Sequence, residues 1–225
     1  LEFAPDGTTF TRRGRTTPED SKIRIYQLLP RLFGNTNERR RPNGSLGENG
    51  TGKFSDLDEK ALTELKAMGF THLLITGVLQ QVTATEYGQI GEPADDSDLL
   101  KGVAGSPYAV RDFYDVTPDY ADDPAARMEE FMSLVDRVHT QEMKILIDFT
   151  PSQVGRSYLS SNKEEPSLGA KDTPATFFDV DNNFFYLTGD VKVEGKGPPL
   201  KLPTVDGDGR PTSPTGQVAE VPCNG

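Results

Sequence analysis

Asp148 stands at the end of the apolar run Lys144-Ile145-Leu146-Ile147-Asp148-Phe149-Thr150. A carboxylate there can cap backbone donors, or it can face a site built at the strand end. Ser152 and Gln153 follow in the polar turn after Pro151. Gln80 and Gln81 come just after a second apolar run, Leu73–Val78. A glutamine amide donates and accepts hydrogen bonds but never carries charge. Tyr108, in Gly105-Ser106-Pro107-Tyr108, offers a flat apolar face that can stack on a ligand or pack within the loop. Asp112, Phe113 and Tyr114 read as structural, an Asx-type turn followed by aromatic packing.

Other reactive types are scarce. Only two histidines, His72 and His139, are present, too few for a multi-histidine metal site, and both read as structural. The single cysteine, Cys223, excludes an internal disulfide framework and a cysteine-rich zinc site. Asp206-Gly207-Asp208-Gly209 looks like the start of a calcium loop, but Arg210 and Gln217 stand where a further ligand and the closing glutamate belong. It reads as a plain turn, as does Asp179-Val180-Asp181-Asn182-Asn183.

The elements that must position these residues are legible as alternating patterns. Residues 1–21 read as an extended N-terminal segment. Ile23–Leu29, stopped by Pro30, is a short buried strand. A long polar loop over 34–53 follows. Ser55 and Asp58 form a weak capping box, Leu57, Ala61, Leu62, Leu65 and Met68 make one apolar stripe, and Gly69 closes the helix. Leu73–Val78 is a second strand, and 79–122 reads as a long loop without a long regular element, a type that is usually functional. Asp123-Pro124 opens a second helix with Met128, Phe131, Val135 and Val138 on its apolar face. Lys144–Thr150 is a third strand. Apolar strands alternating with helices predict an α/β arrangement with parallel strands. Three strands, fewer than five, are expected over 22–150. After Pro151 the chain becomes Pro- and Gly-rich, with short strand candidates only at 184–187 and 191–193. The division is therefore 1–21, 22–151 and an irregular 152–225.

Composition limits the function. The 225 residues are 34% hydrophobic and 26% charged, enough for a core. No apolar run reaches the roughly 18 residues of a membrane span. The net charge of -11 argues against a nucleic-acid partner, and the only basic cluster, Arg39-Arg40-Arg41, reads as a solvated turn. The sequence opens at Leu1 without a signal-peptide pattern, as expected of a mature or trimmed product. An acidic surface suits a secreted or periplasmic setting.

Four motifs in order carry a resemblance. They are I-Y-Q-L-L-P-R-L-F-G-N at the first strand, G-T-G-K-F-S-D-L with L-K-A-M-G-F-T-H-L-L around the first helix, G-S-P-Y-A-V-R-D-F-Y-D-V-T-P, and K-I-L-I-D-F-T-P-S-Q-V at the third strand. Over about residues 22–190 the sequence resembles the alpha-amylase family, glycoside hydrolase family 13. The resemblance implies the first three strands of a (β/α)8 TIM barrel, with domain B inserted after the third strand, so that 22–151 belongs to the catalytic domain and 152–225 to a domain B-like insertion. It implies a retaining two-carboxylate glycosidase acting on alpha-glucans such as starch, glycogen or maltooligosaccharides. Asp148 becomes a supporting carboxylate held by an arginine, and Tyr108 a platform at the cleavage point. Gln153 and Gln80-Gln81 stand where relatives often carry histidines. Ser152 replaces an asparagine that usually helps bind calcium, which predicts weak calcium binding, since a hydroxyl is a poorer ligand. The nucleophile and acid/base belong after later strands, beyond this chain, which alone is expected to be inactive and to need the remainder of its barrel. A non-catalytic carbohydrate-binding relative is the alternative, motivated by Ser152 and the three glutamines.

Overall fold

The computed structural model describes residues 22–95, 100–155, 157–164, 167–173, 175–176 and 179–184, and the backbone of 2–3, 10–11, 185–188, 204–205, 211–212 and 218–221. The main elements are β1 (Ile25–Leu28), α1 (Glu59–Ala67), β2 (His72–Ile75), β3 (Leu79–Gln81), β4 (Val110–Val116), α2 (Arg127–Thr140) and β5 (Lys144–Ile147). Strands β1, β2 and β5 form one parallel sheet in that order, with Ile25 opposite His72 and His72 opposite Lys144. The chain is thus α/β with parallel strands joined through helical segments.

The helix ends follow local chemistry. The Asp58 carboxylate accepts the Ala61 N–H at 2.8 Å and caps α1, so the capping residue is Asp58 and not Ser55, which lies in a 3-10 turn over Phe54–Asp56. At the other end Gly69, with φ +89°, donates to Lys66 O, and Phe70 donates to Leu65 O. This paired closure needs a left-handed residue, which glycine supplies at no steric cost. Leu57, Leu62 and Leu65 are buried, whereas Met68, expected on the same stripe, is exposed. On α2 the buried positions are Leu134 and Val138, Phe131 packs on Phe54 with ring centroids 5.6 Å apart, and Met128 is exposed. Leu73 and Ile75 of the central strand are fully buried among these side chains.

The edges of the sheet differ from its centre. Ile25 of β1 is 47% exposed and Ile147 of β5 is 44% exposed, whereas Leu28 of β1 is buried, so the outer strands are covered only in part.

The expectation of a structureless 79–122 is corrected. β3 and β4 pair antiparallel, Leu79 opposite Val116 and Gln81 opposite Val110, with register shifts between. The span 22–150 therefore holds five strands rather than three, two of them in a separate sheet. Charged residues interrupt the apolar pattern of β4. Arg111 and Asp115 are buried within it, and each is paired: Arg111 with Glu92 at 2.7 Å and Asp95 at 3.0 Å, Asp115 with the guanidinium of Arg127. A buried charge is tolerated when its partner is buried beside it, and a hydropathy pattern cannot show that partner.

Beyond β5, Phe185–Thr188 pairs antiparallel with Val218–Val221, and Thr204–Val205 with Pro211–Thr212. Glu2–Phe3 pairs with Phe10–Thr11. The strand candidate at 191–193, the Asp206–Gly209 turn and Cys223 lie outside the described residues. Among the described residues no helix is long and apolar enough to cross a membrane.

Candidate functional site

Tyr108, Ser152 and Gln153 line one cleft of about 600 Å³, together with Lys101, Ser106 and Asn183. Two local devices bring them together. The turn before β4 is held by Ala109 N–H on Ser106 O at 3.0 Å, and Pro107 lies where a side chain on Gly77 would be, its Cβ 2.5 Å from that position. Gly77 follows β2 with φ +73°, so Tyr108 is carried to the C-terminal end of the central parallel strand. The segment after β5 then attaches to the start of β4. Val154 bridges Val110 in parallel, and Gly155 N–H donates to Val110 O at 2.7 Å. Tyr108 keeps 43% of its surface exposed, and Ser152 and Gln153 are also exposed.

Asp148 lies at the same end of the sheet. It is half-buried, its N–H donates to Ile75 O at 3.2 Å, and it does not line the cleft. No arginine among the described residues pairs with it. Its neighbour Phe149 packs on Phe113 at 5.4 Å, and Phe113 in turn on Tyr158 at 5.6 Å. Asp112 plays the structural part read from sequence: its carboxylate accepts the N–H of Tyr114 at 2.9 Å and of Ser161 at 2.8 Å.

The two glutamines after the second strand are corrected as ligand contacts. Gln80 is 3% exposed and Gln81 2%, because both lie in β3 beneath β4. Gln81 donates to Ala104 O at 2.9 Å, away from the Tyr108 cleft. His72 sits beside the Thr71 hydroxyl at 2.8 Å, and His139 is exposed on the last turn of α2. The Asp179 carboxylate accepts the Asp181 N–H at 3.0 Å, a turn contact.

A second polar assembly carries no signal in the sequence. Asp119 is 1% exposed and accepts Arg31 Nη2 at 2.8 Å and the Tyr87 hydroxyl. Lys53 Nζ donates to the carbonyls of Asp119 at 2.8 Å and Ala121 at 2.7 Å. Burial pushes the Asp119 carboxyl above its ordinary range, and the Arg31 charge opposes that only in part. Burial likewise pushes the Tyr120 hydroxyl up to about 12. Arg31 and Asp119 line a separate pocket of about 520 Å³ with the loop of residues 35–50.

The described lining of the Tyr108 cleft has no carboxylate, and Lys101 supplies a positive charge. Among all described residues, no group of three or more His, Cys, Asp or Glu is arranged to hold a metal ion.

No protein-family model matches the sequence, and no curated protein matches it. Solved structures do. The noncanonic maltogenic alpha-amylase AmyB from Thermotoga neapolitana is 24% identical over 56% of this chain and 22% of its own, with a TM-score of 0.36. An alpha-amylase from Lactobacillus plantarum is 23% identical over 56% of this chain and 21% of its own, at 0.36. The alpha-amylase of Geobacillus thermoleovorans is 25% identical over 58% of this chain and 23% of its own, at 0.39. The chain thus spans less than a quarter of the length of each of these three. Each of these similar structures is an alpha-amylase, matched over a little more than half of the present chain.

Proposed function

We propose that the chain is part of an alpha-amylase-type glycoside hydrolase that cleaves alpha-glucans with retention, and that it supplies one sugar-contacting wall of the site. In this reading 22–151 is the first part of a (β/α)8 catalytic barrel and 152–225 a domain B-like insertion. The β3–β4 hairpin is an elaboration of the loop after the second parallel strand, since its strands pair with each other outside the parallel sheet and leave the order β1-β2-β5 intact. The observation that carries the reading is the meeting of Tyr108 and Gln153 in one cleft beyond the C-terminal ends of parallel strands, the end where barrel enzymes build their sites.

The chemistry follows from the side chains. The exposed ring of Tyr108 is a platform for the C–H face of a glucosyl unit. The Gln153 amide donates to a sugar hydroxyl in any protonation state of the site. Asp148 adds negative charge near the strand ends without forming a bond to substrate. Neither the nucleophile nor the acid of a retaining pair is assigned to a residue of this chain, and calcium is given no part at Ser152. A secreted or periplasmic location suits the net charge of -11.

A second reading, a carbohydrate-binding relative without catalysis, is favoured by one observation: the cleft is lined by Ser152 and Gln153, where the resemblance expects an asparagine and a histidine. The two separate by experiment. Soluble starch and maltoheptaose are offered to the full-length protein, and both reducing-sugar release and calorimetric binding are followed. Release that falls when Tyr108→Ala is introduced supports the hydrolase; binding without release supports the binder; neither binding nor release rejects both.

A further inference from the structure

The pocket beside Arg31 lies apart from the Tyr108 cleft and shares none of its lining residues. Its lining carries partly engaged oxygens and unused donors. The side-chain oxygens of Asn35, Asn37 and Asn49 are already engaged, accepting the N–H groups of Asn37, Arg39 and Arg41. The Asp119 carboxylate already accepts from Arg31 and Tyr87. Donors remain. Asn35 and Asn37 each use one amide hydrogen, on Asn49 O and Glu48 O, and keep another. The Arg31 bonds both leave from Nη2, to Asp119 and Ala104 O. Arg40 makes no hydrogen bond or ion pair among the described residues, although its neighbour Arg41 is paired with Glu48.

Charge points the same way. Two arginines and one buried carboxylate line it, in a protein whose overall charge is -11. The backbone also holds Arg40 at φ +42°, a conformation costly for any residue with a Cβ.

We infer that this pocket binds a small oxyanion, the phosphate or carboxylate of a ligand, between Arg31 and Arg40. Guanidinium groups meet such anions through paired, charge-assisted hydrogen bonds, and the spare amide hydrogens of Asn35 and Asn37 complete a donor set for the remaining oxygens. A neutral sugar would leave the Arg40 charge without a counter-ion.

The test titrates inorganic phosphate, glucose 6-phosphate and glucose separately into the full chain by calorimetry. Phosphate and glucose 6-phosphate are expected to bind and glucose not to. Tighter binding of the ester identifies a phosphorylated sugar as the source of the anion, and tighter binding of phosphate identifies the free ion. Arg40→Gly relieves the positive φ while removing the cation. It should weaken phosphate binding at least about fivefold without lowering the ligand-free unfolding temperature. Arg40→Gln, which keeps much of the side chain, should show the same loss. No phosphate binding by about 10 mM, glucose binding as well as its phosphate ester, or a smaller loss in both Arg40 variants would overturn the assignment.

Discussion

The Tyr108–Gln153 cleft and the Arg31–Asp119 pocket both lie on loops that follow parallel strands, yet they are built in opposite ways. The first is thinly supported: its two principal side chains are exposed and meet through backbone devices, Gly77 against Pro107 and Val154 beside Val110. The second is cross-tied, with a buried carboxylate joined to an arginine, a tyrosine and, through its own carbonyl, a lysine. A surface left open can be filled by ligand at little cost to the fold. A buried ion pair, once formed, makes the fold depend on both partners.

The largest test of that contrast is Asp119→Ala. It strands the Arg31 guanidinium without its carboxylate, and a loss of about 3 kcal/mol is expected in chemical denaturation. A loss under about 1 kcal/mol would mean the pair behaves as a surface bridge. Next comes Gly77→Ala, which forces a side chain into the left-handed region and against Pro107. It should cost about 1–2 kcal/mol and weaken maltooligosaccharide binding too, because the turn that carries Tyr108 must move. If stability falls and binding does not, the backbone contact is not what sets the cleft.

Tyr108→Ala should split the other way. Stability should change by no more than about 0.5 kcal/mol, while affinity for a maltooligosaccharide drops by about 1 kcal/mol, the worth of one aromatic platform. Equal losses in both would erase the distinction between the two regions. The finest test is pH. Burial raises the Asp119 carboxyl above its unfolded value, so the folded state binds that proton more tightly. The resulting stability is fully present below the unfolded carboxylate range and is lost as pH rises through the raised folded value. Asp119→Asn should flatten this part of the profile of unfolding temperature against pH. An unchanged slope would place its origin elsewhere.

The three parallel strands, both helices and the C-terminal cap at Gly69 are legible from local pattern, because periodicity and capping involve residues within about four positions of each other. The capping residue shifts from Ser55 to Asp58 because either can serve and only the path of the preceding turn decides. Sequence also marked Tyr108, Ser152 and Gln153, through motif order. Tertiary structure alone decided that they share a cleft, that Gln80 and Gln81 are buried, and that 79–122 contains a hairpin. It also decided that Asp119 meets Arg31 across 88 positions of chain. The physical reason is the same in each case. A polar residue inside a fold is explained by its partner, and the partner of Arg111, Asp115 or Asp119 is chosen by how distant segments pack, which no local periodicity records.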